Sequence, residues 1–171
     1  MNTDALKNIK LFVTDVDGVF TDGKIILDAE GKELKKFNVH DGAAVKYAAL
    51  VGFRTIMISG RDSGAVTKRA KEIGIYKAYQ GISDKAAVLE KIITDESVTA
   101  DQMCFIGDDL PDIAVLKRVG FFVAVKNAVS EVKEVADYVT EKSGGDGAFR
   151  EVVELVLKSQ GHWKELLKKI S

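Results

Sequence analysis

The stretch Leu11-Phe12-Val13-Thr14-Asp15-Val16-Asp17-Gly18-Val19-Phe20-Thr21 decides how the chain reads. An apolar run breaks off into two carboxylates one residue apart, then a glycine and, three residues on, a threonine. A buried strand of a parallel sheet delivers polar groups to its C-terminal tip in this way. Residues i and i+2 of a strand project to the same side, so Asp15 and Asp17 crowd like charges together. Such crowding is costly unless a cation or a shared proton relieves it, and it invites a divalent metal. Taken alone, the same residues also suit an Asp-rich turn after any strand.

Three more short apolar runs follow at 55–58, 103–106 and 121–125, with helix-period segments between them. Strand and helix alternation predicts an α/β fold: a three-layer, Rossmann-like parallel sheet with helices on both faces. Helices are expected over 43–50, 65–73, 84–93, 110–118, 130–136 and about 149–160. Gly52, Gly74 and Gly120 stand where helices should stop, and Pro111 suits the first turn of the segment that follows Gly107-Asp108-Asp109.

One segment breaks the alternation. Residues 24–28 and 33–39 flank Ala29-Glu30-Gly31-Lys32 and read as a β-hairpin (24–39) inserted after the first strand. Ile25, Ile26, Leu27, Leu34, Phe37 and Val39 make it too apolar to stand alone in water. It packs on its own sheet or pairs with copies from other subunits, and the apolar excess favours the second arrangement.

A length of 171 residues fits one domain spanning 1–171. A net charge of −1 with mixed acids and bases offers no field for nucleic acid or an anionic membrane surface. No apolar stretch approaches the roughly 20 residues of a membrane helix, and the start Met1-Asn2-Thr3-Asp4 lacks a signal-peptide pattern. A cytoplasmic protein is expected. The single Cys104 sits in an apolar run and reads as a small buried hydrophobe. His40 and His162 lie near no candidate nucleophile and read as structural.

Polar clusters recur at the ends of the other apolar runs: Ser59-Gly60-Arg61, Lys85 at a helix start, and Gly107-Asp108-Asp109 with Asp112. In open parallel sheets the ligand crevice lies outside the carboxyl ends of the strands, so these clusters can converge on Asp15 and Asp17. Carboxylates from two strands, Asp15 and Asp108, can grip Mg2+, an ion that takes one or two carboxylates plus waters and a phosphate. A hydroxyl, a lysine and an arginine beside them supply donors to an anion. Together they make a phosphate site.

In these motifs the chain resembles the haloacid dehalogenase superfamily. Its Asp-x-Asp-Gly-x-x-Thr motif is matched by residues 15–21, its second motif by Ser59, its third by Lys85, and its Gly-Asp-Asp-x-x-Asp motif by residues 107–112. The resemblance implies a phosphatase in which Asp15 attacks phosphorus and forms an aspartyl-phosphate, and Asp17 serves as general acid and base. It implies Mg2+ held by the carboxylates of Asp15 and Asp108 and the backbone carbonyl of Asp17. Lys85 and Ser59 bind phosphoryl oxygens, with Thr21, Gly60 and Arg61 as further substrate contacts. Asp112 orients Lys85 from behind; Asp109 is either another group near the metal or merely solvated.

The intervals where superfamily members insert a cap domain hold here only the hairpin and one helix-strand unit, so no cap domain is expected and another subunit is the natural lid. Within the superfamily the chain resembles the tetrameric 3-deoxy-D-manno-octulosonate 8-phosphate phosphatases. The likeness runs through residues 16–23, Phe37-Asn38-Val39-His40-Asp41-Gly42, Ser59-Gly60-Arg61-Asp62-Ser63 and Gly144-Gly145-Asp146-Gly147-Ala148-Phe149-Arg150-Glu151. It implies a small phosphorylated sugar acid as substrate, formed on the way to lipopolysaccharide, and a homotetramer joined through the hairpins. It also implies a glycine-rich segment near an active site, where composition alone reads a flexible connection. Arg61 can clamp a sugar carboxylate bidentately, whereas relatives acting on nine-carbon acid 9-phosphates show Thr-Gly-Glu-Lys there. The segment from Tyr79 to Lys85 looks more like the nine-carbon group, which keeps that substrate open. Two other classes stand beside these: a signalling receiver domain, disfavoured by Ser59 after the central strand, and a non-catalytic oligomerising module, disfavoured by the intact Asp15 and Asp17.

Overall fold

The computed structural model describes residues 3–171. Eight strands form in chain order: β1 (Leu11–Thr14), β2 (Ile26–Leu27), β3 (Glu33–Leu34), β4 (Arg54–Ile58), β5 (Lys77–Tyr79), β6 (Met103–Gly107), β7 (Phe121–Ala124) and β8 (Tyr138–Val139). Seven α-helices accompany them: α1 (Thr3–Leu6), α2 (Val39–Leu50), α3 (Gly64–Ile73), α4 (Lys85–Glu96), α5 (Ser130–Val135), α6 (Ala148–Ser159) and α7 (His162–Ile170). Six strands make one sheet in the order β5-β4-β1-β6-β7-β8, and every pairing in it is parallel. β2 and β3 pair antiparallel as the expected hairpin.

β1 lies between β4 and β6, with Thr14 opposite Met57 on one side and Ile106 on the other. The chain leaves β1 toward one edge and later crosses to the other, so a crevice opens at the tip of β1. The central strands β1, β6 and β7 are wholly buried, which is why they read as unbroken apolar runs. Phe149 of α6 packs its ring edge-on against Phe12 of β1 (centroids 6.0 Å) and at a tilt against Phe20 of the following loop (4.7 Å). Cys104 is buried in the same core.

Several boundaries differ from the sequence expectation. The hairpin strands are two residues each, and the second segment ends before Val39 because Asn38 caps α2 by accepting from His40 N–H and draws Val39 into the helix. The segment Leu110–Arg118 is a 3-10 helix rather than an α-helix. β5 and β8 gave no apolar run because they are short, partly exposed edge strands. α7 was also missed, being a charged helix that buries only Leu166.

Candidate active site

Three of the expected clusters sit where a strand lets go of the sheet, and the fourth, Lys85, opens a helix. Asp15 follows β1, and its N–H still donates to the Ile106 carbonyl (2.9 Å), which fixes the start of the loop. Gly18 then turns with φ +100°, and a Cβ there would lie 1.9 Å from Asp108 Oδ2. The glycine is therefore what lets the carboxylate at the end of β6 come against the loop after β1. Ser59 follows β4, Asp108 follows β6, and Lys85 opens α4 behind its Asp84 cap.

These residues line one cleft of about 460 Å3, with Asp15, Asp17, Ser59, Gly60, Arg61, Lys85, Asp108, Asp109 and Asp112 all on its wall. Thr21, expected on the substrate, is not among them. Its hydroxyl instead accepts from the N–H groups of Gly18 (3.3 Å) and Gly23 (3.2 Å), closing the turn, and the residue is buried.

The Lys85 ammonium donates to Asp15 Oδ1 (2.5 Å) and to Asp112 Oδ1 (2.6 Å). Asp112 uses its other oxygen to accept from the N–H groups of Asp108 (2.9 Å) and Asp109 (3.3 Å). Asp112 thus holds both the lysine and the loop after β6. Gly107 makes room for it, since a Cβ there would stand 2.4 Å from Asp112 Oδ2. Asp109 is exposed and caps the 3-10 helix through Leu110 N–H (2.8 Å). Ser59 is buried, and its Oγ accepts from Arg61 N–H (3.2 Å).

Burial pushes the Asp15 carboxyl up to about 7; Lys85 opposes the shift and the Asp112 and Asp17 charges add to it. Burial likewise pushes Asp108 up to about 8, with the charges of Asp15 and Asp112 adding to it. Burial works against the Lys85 charge, but Asp15 and Asp112 more than offset it and raise its pKa. Asp17 Oδ2 is buried without a hydrogen-bond partner. The crevice therefore holds more negative oxygen than its cations neutralise, an environment suited to a hard divalent cation. Asp15 and Asp108, at adjacent strand tips, are the side chains that could hold such an ion beside backbone oxygen, water and phosphate; among the described residues no three His, Cys, Asp or Glu side chains form a metal cage.

Two hairpin residues escaped the sequence reading. Lys35 pairs with Asp17 and lies 2.7 Å from Glu33, and Glu33 in turn accepts from Arg61 (2.5 Å). Glu33 lies in β3 and Lys35 just past it, an i, i+2 spacing that was available in the sequence, and Leu34 between them is exposed. The hairpin thus reaches the site of its own chain. The glycine-rich segment is not a loose connection either: Gly145 N–H donates to the Val19 carbonyl (2.8 Å), and a Cβ on Gly144 would lie 1.5 Å from the Gly18 carbonyl oxygen. Asp41, buried, accepts from Gly147 and Arg150 N–H groups (3.2 and 2.9 Å) and pins the start of α6 beside it.

The haloacid dehalogenase-like hydrolase family matches residues 74–152. The 3-deoxy-D-manno-octulosonate 8-phosphate phosphatase of Salmonella typhi is 39% identical over 159 residues, covering 93% of this chain and 85% of the relative. The chain belongs to the haloacid dehalogenase-like hydrolases. Among solved structures, this hydrolase superposes with TM-score 0.95 and 39% identity on the 3-deoxy-D-manno-octulosonate 8-phosphate phosphatase of Moraxella catarrhalis, over 99% of this chain and 97% of that one. That enzyme was crystallised with magnesium, phosphate and KDO. The cobalt-bound phosphatase of Haemophilus influenzae superposes with TM-score 0.88 at 38% identity, over 92% of each chain. The hydrolase shares their fold over most of its length.

Proposed function

We propose that this hydrolase removes the phosphate of 3-deoxy-D-manno-octulosonate 8-phosphate in a Mg2+-dependent reaction, working as a single domain. The observation that carries the reading is the pair of carboxylates at adjacent strand tips, Asp15 buried and Asp108 half-buried, the first bound to a lysine that Asp112 holds in place. The similarity to phosphatases of that name supports the substrate.

Asp15 attacks phosphorus in line, and the Asp15–phosphorus bond forms as the bond to the sugar oxygen breaks. Asp17 gives its proton to the departing alkoxide and later takes one from the water that attacks the aspartyl-phosphate. Lys85 and the Ser59 hydroxyl hold phosphoryl oxygens, where fixed charge stabilises the transition state. Asp15, Asp108 and the Asp17 carbonyl would hold Mg2+, which would supply the charge that lets a carboxylate approach a phosphate. Arg61, half-exposed at the cleft mouth, faces the sugar acid and exchanges Glu33 for the substrate carboxylate.

The nine-carbon acid 9-phosphates are the second reading. Ile82 and Ser83, within the segment that resembles enzymes for those substrates, line the cleft. The hairpin presents Ile25, Ile26, Leu27 and Leu34 to solvent at 45–60% exposure, which supports a homotetramer built through hairpin contacts. Phosphate release from the eight-carbon substrate should require Mg2+ and stop with chelator. Equal turnover in chelator would refute the metal assignment, and a stable monomer in sedimentation at micromolar concentration would refute the assembly.

A further inference from the structure

We propose that Lys35 is a positioning residue for proton transfer: it holds one oxygen of Asp17 so that the other is presented to the leaving group. This deepens the phosphatase reading and rests on it. Lys35 stands just past the second hairpin strand, yet only 5% of its side chain is exposed, whereas the neighbouring Lys36 is exposed. Its ammonium binds Asp17 Oδ1 and lies 2.7 Å from Glu33, and Arg61 holds Glu33 from the far side at 2.5 Å. The four groups form a string of alternating charge from the cleft mouth to the proton carrier.

A buried ion pair is a poor way to gain stability, because desolvation consumes most of the attraction. It is an effective way to fix a rotamer. With Oδ1 engaged by Lys35, Asp17 Oδ2 remains buried and unpartnered. Oδ2 is then the oxygen that carries the proton. The proton passes from Oδ2 to the sugar oxygen as its bond to phosphorus breaks and the Asp15 bond to phosphorus forms. In the second half-reaction water gives a proton to Oδ2 as its oxygen bonds phosphorus and the Asp15 bond breaks. Lys35 keeps its own protons throughout and directs the exchange. Because the hairpin carries Lys35, its docking on the sheet would also set the geometry of the acid.

The leaving group provides the test. A sugar alkoxide needs a proton to depart and a nitrophenolate does not, so kcat/KM for 3-deoxy-D-manno-octulosonate 8-phosphate and for 4-nitrophenyl phosphate should respond differently. Lys35→Met should lower the first by about 10- to 100-fold, the loss of a charge-assisted hydrogen bond, and the second by less than about threefold. Glu33→Gln should show the same pattern more weakly. Lys35→Cys followed by aminoethylation rebuilds an ammonium at nearly the same reach and should restore the sugar phosphate rate; the native Cys104 is buried away from the reagent. Equal losses on both substrates, or no loss on either, overturn the proposal. Asp17→Asn run alongside separates the two levels. If it lacks the leaving-group dependence, the proton-carrier role itself falls; if it shows the dependence and Lys35→Met does not, only the Lys35 assignment falls.

Discussion

Asp112→Asn is the substitution that probes the site most sharply without removing a reacting group. In the native chain both Asp112 oxygens accept: one from the Lys85 ammonium at 2.6 Å, the other from the N–H groups of Asp108 and Asp109 at 2.9 and 3.3 Å. An asparagine amide has one oxygen and one NH2 group. Whichever way it turns, a donor faces either the buried lysine or the backbone N–H groups. A charge-assisted hydrogen bond of about 1.5–3 kcal/mol is lost, and a buried donor is left without an acceptor. If Lys85 then drifts from the phosphoryl position, kcat/KM should fall by about 10- to 150-fold. Burying an unsatisfied donor should also lower Tm, at about 2–4 °C per kcal/mol for a chain of this size. Steady-state kinetics and a thermal melt, both in saturating Mg2+, provide the check. A variant with native kcat/KM would refute the claim that Asp112 orients Lys85.

Two other outcomes follow from the same geometry. The raised pKa values of Asp108 (about 8) and Asp15 (about 7) mean that the folded, metal-free protein holds protons that the unfolded chain releases near pH 4. The contribution of these two groups to stability should therefore be fully present below about pH 4 and decline as pH rises from about 4 to about 8. Mg2+ should restore it most at the alkaline end, by about 5–10 °C in Tm at a hundredfold excess over Kd, and melts with and without chelator that coincide at about pH 8 would contradict the metal site. Gly18→Ala places a Cβ where Asp108 Oδ2 stands, at a φ of +100°; the strain costs about 1–3 kcal/mol. Activity should fall by more than about a hundredfold because Asp108 leaves its position, while a calorimetric melt should still show a cooperative transition.

The core strands were legible because they are buried on both faces. Residues 11–14, 103–107 and 121–124 have no solvent side, so nothing interrupts their apolar runs. The site clusters were legible for a related reason: a parallel sheet puts its polar residues where the strands end, the motifs at Asp15, Ser59 and Asp108 mark those ends, and Lys85 marks a helix start beside them. Edge strands such as Lys77–Tyr79 carry no such signature. Thr21 shows the limit of motif reading, since a hydroxyl one turn from the acids can serve the turn instead of the cleft. Lys35 shows the opposite limit. A lysine beside Lys36 reads as a solvated charge, and only the hairpin's fold over the loop after β1 brings it onto Asp17. Glycines 18, 107 and 144 matter for what they let approach, and those neighbours are remote in sequence.

The central claim is that Asp15 drives hydrolysis of an eight-carbon sugar acid phosphate. The most direct measurement is phosphate release by the purified protein in Mg2+ from 3-deoxy-D-manno-octulosonate 8-phosphate and from a nine-carbon acid 9-phosphate, side by side, with Asp15→Asn beside the native chain. The expected result is a higher kcat/KM for the eight-carbon substrate and no turnover of either by the variant. Preference for the nine-carbon substrate would contradict the substrate assignment, and undiminished turnover by Asp15→Asn would contradict the nucleophile.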